Sequence, residues 1–198
     1  LLLAGTPTET GTASLVLGAA ALGVLLYTLH TVGVEMEKLW GSPRTILIYV
    51  LGGGLGGAAS LLLVPLGVLP ADLALATATG GTLAMAGAEM VYLYKHRRLY
   101  RAMAPQRQAF LSGLVVLNLI LSAFVARTDL VGALVALVGG GVLAAFISPF
   151  MLPRPHPETP GALLAEDVNP LGQRPLPVML FTLFVMLLVA VAVTLSPV

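Results

Sequence analysis

Few residues in this chain could do chemistry, and those few stand far apart in apolar sequence. There is no cysteine, which excludes disulfides, thiolate nucleophiles and zinc–thiolate sites. The three histidines stand at 30, 96 and 156, and no metal and no cofactor is expected. An ionisable group inside a membrane is costly and is read first as functional. Here the candidates are Glu89, His30 and Asn118, with Arg127 and Asp129 at the outer surface between two apolar runs. Glu89 lies about one turn from the end of its run, near Tyr92, Tyr94 and the bases Lys95–Arg98. It is expected to snorkel to the interface and pair with those bases. His30 is expected in a polar packing or interfacial role, and Asn118 is expected to hydrogen-bond across to another helix. No intramembrane charge pair is available for a proton relay, which ranks a pump or coupled transporter low.

The elements that must position these residues follow from composition. Of 198 residues, 58% are hydrophobic and 10% charged, and the mean hydropathy is +0.97. Average soluble domains are about 45–50% apolar and about 25% charged. A soluble globular domain cannot hide this much apolar surface, and disorder needs the opposite composition. A net charge of +1 supplies no basic field for nucleic acid, so none is expected as a partner. What remains is an all-α, polytopic transmembrane bundle.

A helix needs about 20 mostly apolar residues to cross the hydrocarbon. Six runs qualify, at 12–33, 45–66, 71–93, 108–126, 130–150 and 178–197. The runs are continuous rather than alternating, which favours helices over barrel strands. Residues 1–11 form an outer N-terminal segment, 12–150 a five-helix core, 151–177 a linker, and 178–198 an additional C-terminal transmembrane helix. The linker holds seven of the fourteen prolines, so an extended, surface-lying segment that isolates the sixth span is expected. Nine of the ten Lys and Arg residues lie in loops on one side, Arg127 being the exception. Basic loops face the cytoplasm, so the expected location is a multi-pass position in a bacterial inner membrane with 94–107 and 151–177 cytoplasmic. Both termini then face outward, which would fit a further span ahead of Leu1.

Small residues recur at helical spacing. Gly52 and Gly56, and Gly53 and Gly57, form two overlapping GxxxG pairs; Gly80 belongs to a stripe with Ala76, Ala84 and Ala88; Gly132, Ala136 and Gly140 form another with Ala144. Such stripes let helix backbones approach closely where the hydrophobic effect cannot drive association. Lys95, Arg97, Arg98 and Arg101, beside three tyrosines, read as a contact for anionic lipid headgroups.

The segment GVEMEKLWGSPRTILIYVLGGGLGG (33–57) resembles the stretch that joins the second and third helices of rhomboid intramembrane proteases. Gly33, Glu37, Gly41, Ser42 and Tyr49 fall in the matching places of a Gly-x-x-x-Glu-x-x-x-Gly-Ser motif and the apolar run after it. Residues 114–146 resemble the last two core helices of that family through Asn118, Asp129 and the small-residue stripe. The resemblance covers about residues 12–150, five helices in the family's order and orientation, and implies a rhomboid-like core extended by one C-terminal span.

The catalytic pair implied by that family does not carry over. Its Gly-x-Ser-Gly corresponds to Thr77-Ala78-Thr79-Gly80, so Thr79 stands in place of the serine; its histidine falls at about Gly132–Ala133. The oxyanion-stabilising His and Asn fall near Ala21 and Leu25. A hydroxyl needs a base within hydrogen-bond reach to become a nucleophile. The expectation is therefore a pseudoprotease, similar in logic to derlins and inactive rhomboids. It would bind transmembrane helices of other integral membrane proteins, as a scaffold or as a subunit of a larger complex. The alternatives are a divergent protease using Thr79, or a small transporter or channel, which would need a polar lining that the spans almost lack.

Overall fold

The structure is a computed structural model that describes residues 7–64, 77–100, 103–124, 130–155, 163–173 and 175–195. Helices occupy all six expected places. α1 is Pro7–Trp40, α2 Ser42–Leu63, α3 Thr77–Lys95, a single turn α4 Arg97–Tyr100, α5 Met103–Phe124, α6 Leu130–Ile147 and α7 Pro175–Leu195. Four of them are long and apolar enough to cross a membrane by length and composition: α1 over Val16–Trp40, α2, α6 and α7. The described parts of α3 and α5 fall short of that mark. α3 carries Thr77, Thr79, Thr82 and Glu89, and α5 opens with Gln106, Arg107 and Gln108.

α1 overruns its apolar stretch at both ends and reaches 34 residues. Nothing between residues 33 and 40 breaks a helix, so it continues through Glu35, Glu37 and Lys38 to Gly41. That glycine stops it with φ +80, a conformation a β-carbon would penalise. α2 then begins at once, with Pro43 in its first turn, where the missing N–H costs no bond.

The centre of the bundle is the trio α2, α3 and α6, each packed on the other two, with α1 and α5 outside α3. The approach is close because the facing positions lack side chains. A β-carbon on Gly56 would lie 2.6 Å from the Gly132 carbonyl oxygen and 2.8 Å from the Ala136 methyl. One on Gly80 would touch Ala136 at 3.4 Å, and one on Gly52 would collide with the Ala84 methyl. Gly53 and Gly57 are buried in the same helix. The outward faces are apolar, including Val16, Leu17 and Leu22 of α1, Val116 and Ile120 of α5, and Val138 and Phe146 of α6. Such faces suit hydrocarbon as their solvent.

The segment after α6 departs from expectation in two ways. Part of it pairs as an antiparallel hairpin, β1 Met151–Pro155 with β2 Leu163–Asp167, in register from Met151↔Asp167 to Pro155↔Leu163. Pro153 and Pro155, two residues apart, turn their nitrogens to the same strand edge, which in a two-stranded ribbon can be the outer one. Nor is the sixth span isolated. α7 lies against α2 and α6, with Val185 over Gly54, where an added β-carbon would meet it at 3.4 Å. Gly54 supplies a notch that the helix fills, so α7 has a partner within its own chain.

Candidate functional site

The turn between α1 and α2 is built by the 33–49 motif. Gly41 donates its N–H to the Glu37 carbonyl at 2.9 Å, and Ser42 donates its hydroxyl to Glu37 Oε1 at 2.5 Å. Thr45 returns both its N–H and its hydroxyl to the Gly41 carbonyl, at 3.3 and 3.1 Å. The Tyr49 ring closes over Gly81 of α3, where a β-carbon would lie 2.8 Å from ring carbons. Gly33 has open space around it.

Near the far end of α3 a cavity of about 180 Å³ lies between α1, α3 and α5. Its walls include Gly18, Ala21, Leu22 and Leu25 of α1, Thr79 of α3, and Asn118 of α5. Thus the positions matched to a nucleophile and to two oxyanion donors do meet in space, but as a threonine, an alanine and a leucine. No acid and no imidazole lines the cavity among the described residues. Asn118, buried, donates its amide to the Thr28 hydroxyl and to the Leu114 carbonyl, both at 2.8 Å. Thr28 in turn donates to the Val24 carbonyl at 2.8 Å. This chain of bonds ties α5 to α1 beside the cavity; Thr28 gave no sign of itself in the sequence.

The histidines lie elsewhere. His96 follows Thr79 by 17 residues along and just past the same helix, about 25 Å at 1.5 Å per residue. His30 is exposed, and it stands two residues, about 200° of helix, from the buried Thr28 that faces Asn118. At the position matched to the family histidine, Gly132 and Ala133 are buried, the latter packed with Leu83, Ala86 and Val115. Asp129, Arg101 and His156 lie outside the described residues.

A second assembly occupies the opposite end, where α1, α3 and α6 finish and α2, α5 and α7 begin. Here the expected partners of Glu89 are corrected. Its carboxylate is 2% exposed and takes two bonds from Arg107 of α5, from Nε at 2.6 Å and Nη2 at 3.2 Å. Arg107 Nη2 also reaches the Thr31 carbonyl of α1 at 3.3 Å. The bases beside α3 are engaged otherwise: Lys95 donates to the Ala145 carbonyl at 2.6 Å, and Arg97 lies 4.9 Å from the Tyr94 ring centre. Both remain exposed, as does Arg98. A charge pair that joins three helices therefore exists where none was expected, and among the described residues it is not continued into a chain of titrating groups. Local spacing could not show it, because Arg107 stands 18 residues away on another helix.

Around it, Trp40, Tyr92, His96 and Tyr100 form an aromatic cluster, with Trp40–Tyr92 centres at 5.4 Å and Tyr92–His96 at 4.3 Å. His96, expected in a loop, is buried, and its Nδ1 lies 3.0 Å from the Tyr92 carbonyl. The hairpin is fastened at this end by buried Arg44 of α2, which bonds Asp167 Oδ2 at 2.8 Å and the Asn169 carbonyl. Burial raises the Asp167 carboxyl, but the Asn169 N–H, the Arg44 guanidinium and the Phe150 N–H together hold it below the usual carboxylate range.

No curated protein and no solved structure matches the chain significantly. The family model for the Rhomboid domain matches residues 13–150, the stretch that contains the glycine-stopped α1–α2 turn, the Thr79 cavity and the α2–α3–α6 trio, and the chain belongs to the rhomboid family.

Proposed function

We propose that this integral, multi-pass membrane protein is a non-catalytic rhomboid that binds transmembrane helices of partner proteins, as a scaffold or as a structural subunit of a larger membrane complex. The observation that carries the reading is the cavity at Thr79, where alanine and leucine face the threonine and no base lines the wall among the described residues. A threonine hydroxyl without an adjacent base stays protonated and is a poor nucleophile. Losing the base and the oxyanion donors together removes both activation of the attacking group and stabilisation of the developing charge.

Binding in place of cutting is supported by the surface around the same cavity. Val16, Leu17, Leu22 and Leu26 leave exposed apolar side chains around much of α1. Gly18, beside the cavity, has nothing within 4 Å of where a β-carbon would stand. A small residue in open space on an apolar face permits close approach of another helix, where dispersion and backbone contacts drive association. In this reading the basic end of the bundle faces the cytoplasm of a bacterial inner membrane, and the Thr79 cavity lies near the outer face.

The test is reconstitution with a model transmembrane substrate, beside labelling with a fluorophosphonate. Neither cleavage nor labelling is expected, and a stable larger assembly should co-purify in mild detergent. Cleavage that disappears in Thr79→Ala would establish a protease instead. Ion flux through proteoliposomes would establish a channel.

A further inference from the structure

A cleft of about 490 Å³ opens at the basic end between α1, α3, α4 and α5, distinct from the Thr79 cavity. Its walls divide by chemistry. Glu35, Glu89 and Arg107 supply the charge, while Leu39, Leu93 and Phe110 supply an apolar face. The charged part is held in place: Arg107 is fixed by its two bonds to buried Glu89 and its third to Thr31, and its Cζ lies 5.4 Å from the Phe110 ring centre. A quarter of its side chain stays exposed, although Glu89 is sealed. The cleft is thus amphipathic, and it lies where the spans end among tyrosines and bases, at the level of lipid headgroups.

We infer that this cleft binds a single phospholipid with a primary ammonium headgroup, phosphatidylethanolamine, its phosphate against Arg107, its ammonium against Glu35 and the start of an acyl chain on Leu39, Leu93 and Phe110. Charge selects the headgroup. Among the described lining residues, two carboxylates and one guanidinium leave one negative charge in excess, which an anionic lipid would increase and a zwitterion leaves unchanged. The guanidinium fork suits a phosphodiester. The negative excess resides on Glu35, whose carboxylate is 44% exposed and whose contact with Lys38, at 3.3 Å and more exposed still, is a weak surface pair that an ammonium can displace. A choline headgroup carries the same charge but has no N–H to donate to that carboxylate. The cleft therefore differs in preference from the exposed Lys95, Arg97 and Arg98 set, which favours anionic headgroups. The inference stands apart from whether the protein cleaves anything.

The experiment places the full chain in nanodiscs of equal parts phosphatidylethanolamine, phosphatidylcholine and phosphatidylglycerol with matched chains. The protein is then released into mild detergent and its retained lipid read by native mass spectrometry. One phosphatidylethanolamine is expected, favoured over each other lipid by about fivefold, the scale of one partly exposed charge pair. Glu35→Gln should erase the preference, and Lys38→Gln, which frees Glu35, should increase it. Phe110→Ala should lower retention of all three lipids while keeping their order. Equal retention in the parent protein, phosphatidylglycerol in first place, or a preference unchanged by Glu35→Gln would overturn the inference.

Discussion

Gly140→Ala tests the central packing at its tightest point. A β-carbon there would collide with the Ala84 carbonyl oxygen and lie 2.5 Å from its carbon and 2.6 Å from Cα. Carbon pairs rest at about 3.5–4.0 Å, so the shortfall is roughly 1 Å, and a backbone carbonyl within a helix cannot rotate away. α3 and α6 must part. One methyl forced into a packed interior costs about 1–3 kcal/mol, and opening a gap of about 1 Å forfeits up to half of the nearby dispersion energy. Against this, alanine is the better helix former by about 1 kcal/mol. The overpacking cost less the propensity gain leaves about 0–2 kcal/mol, the dispersion loss adds to it, and the net expectation is a loss of roughly 2 kcal/mol. Gly113→Ala is the matched control, since nothing lies within 4 Å of its β-carbon position. It carries the same propensity gain and should stabilise by up to about 1 kcal/mol. Unfolding by SDS in mixed micelles, followed through the fluorescence of the chain's one tryptophan, buried Trp40, reads both. If Gly140→Ala unfolds at the same SDS fraction as Gly113→Ala or higher, the packing argument is wrong.

Other substitutions address the ends of the helices. Arg107→Ala leaves a buried carboxylate without a partner and should cost about 3–5 kcal/mol in the same assay, whereas the double change with Glu89→Gln should recover a large part of it. Gly41→Ala forces a β-carbon into the left-handed region and should cost about 1–2 kcal/mol. Asp167 has its folded pKa below the unfolded value, so its stabilising effect is complete above the unfolded value of about 3.9 and fades as pH falls through the folded one. Hydrogen exchange at Leu163–Asp167 should therefore differ between the parent protein and Asp167→Asn at pH 6, and the difference should narrow as the pH is lowered below about 4.

The helices were legible because continuous apolar runs and glycine or proline boundaries are local properties, and each run does hold a helix. Their ends were less so: α1 continues seven residues past its expected close at 33, since polarity does not stop a helix and Gly41 does. The hairpin was hidden by Pro153 and Pro155, which argue against a strand unless both nitrogens can face outward. Glu89 was assigned the bases nearest in sequence, but those lie on or beyond the last turn of its own helix, and the charge that faces it comes from α5. Arg44 and Asp167 showed the same limit, since a pair 123 positions apart has no signature in spacing. At the Thr79 cavity the residue types could be read directly. That Thr28 and Asn118 bond beside it could not, since a buried threonine on an apolar helix looks like any other.

The C-terminal segment has two anchors on α2 set by single residues, Asp167 and Asn169 on Arg44 and Val185 on Gly54, and the rest of α7 packs on α2 and α6 beside the second. Ten residues of α2, about 15 Å, separate them. The segment is therefore a bivalent ligand for one helix, and each attachment holds the other at a high effective concentration, of millimolar order for short links. The largely buried Arg44–Asp167 pair alone would hold the hairpin less firmly, and the Gly54 notch alone would be shallow against competing lipid. Together their strengths multiply, so loss of either should loosen the tail without releasing it, and loss of both should leave only the remaining packing of α7 on α2 and α6 to hold it.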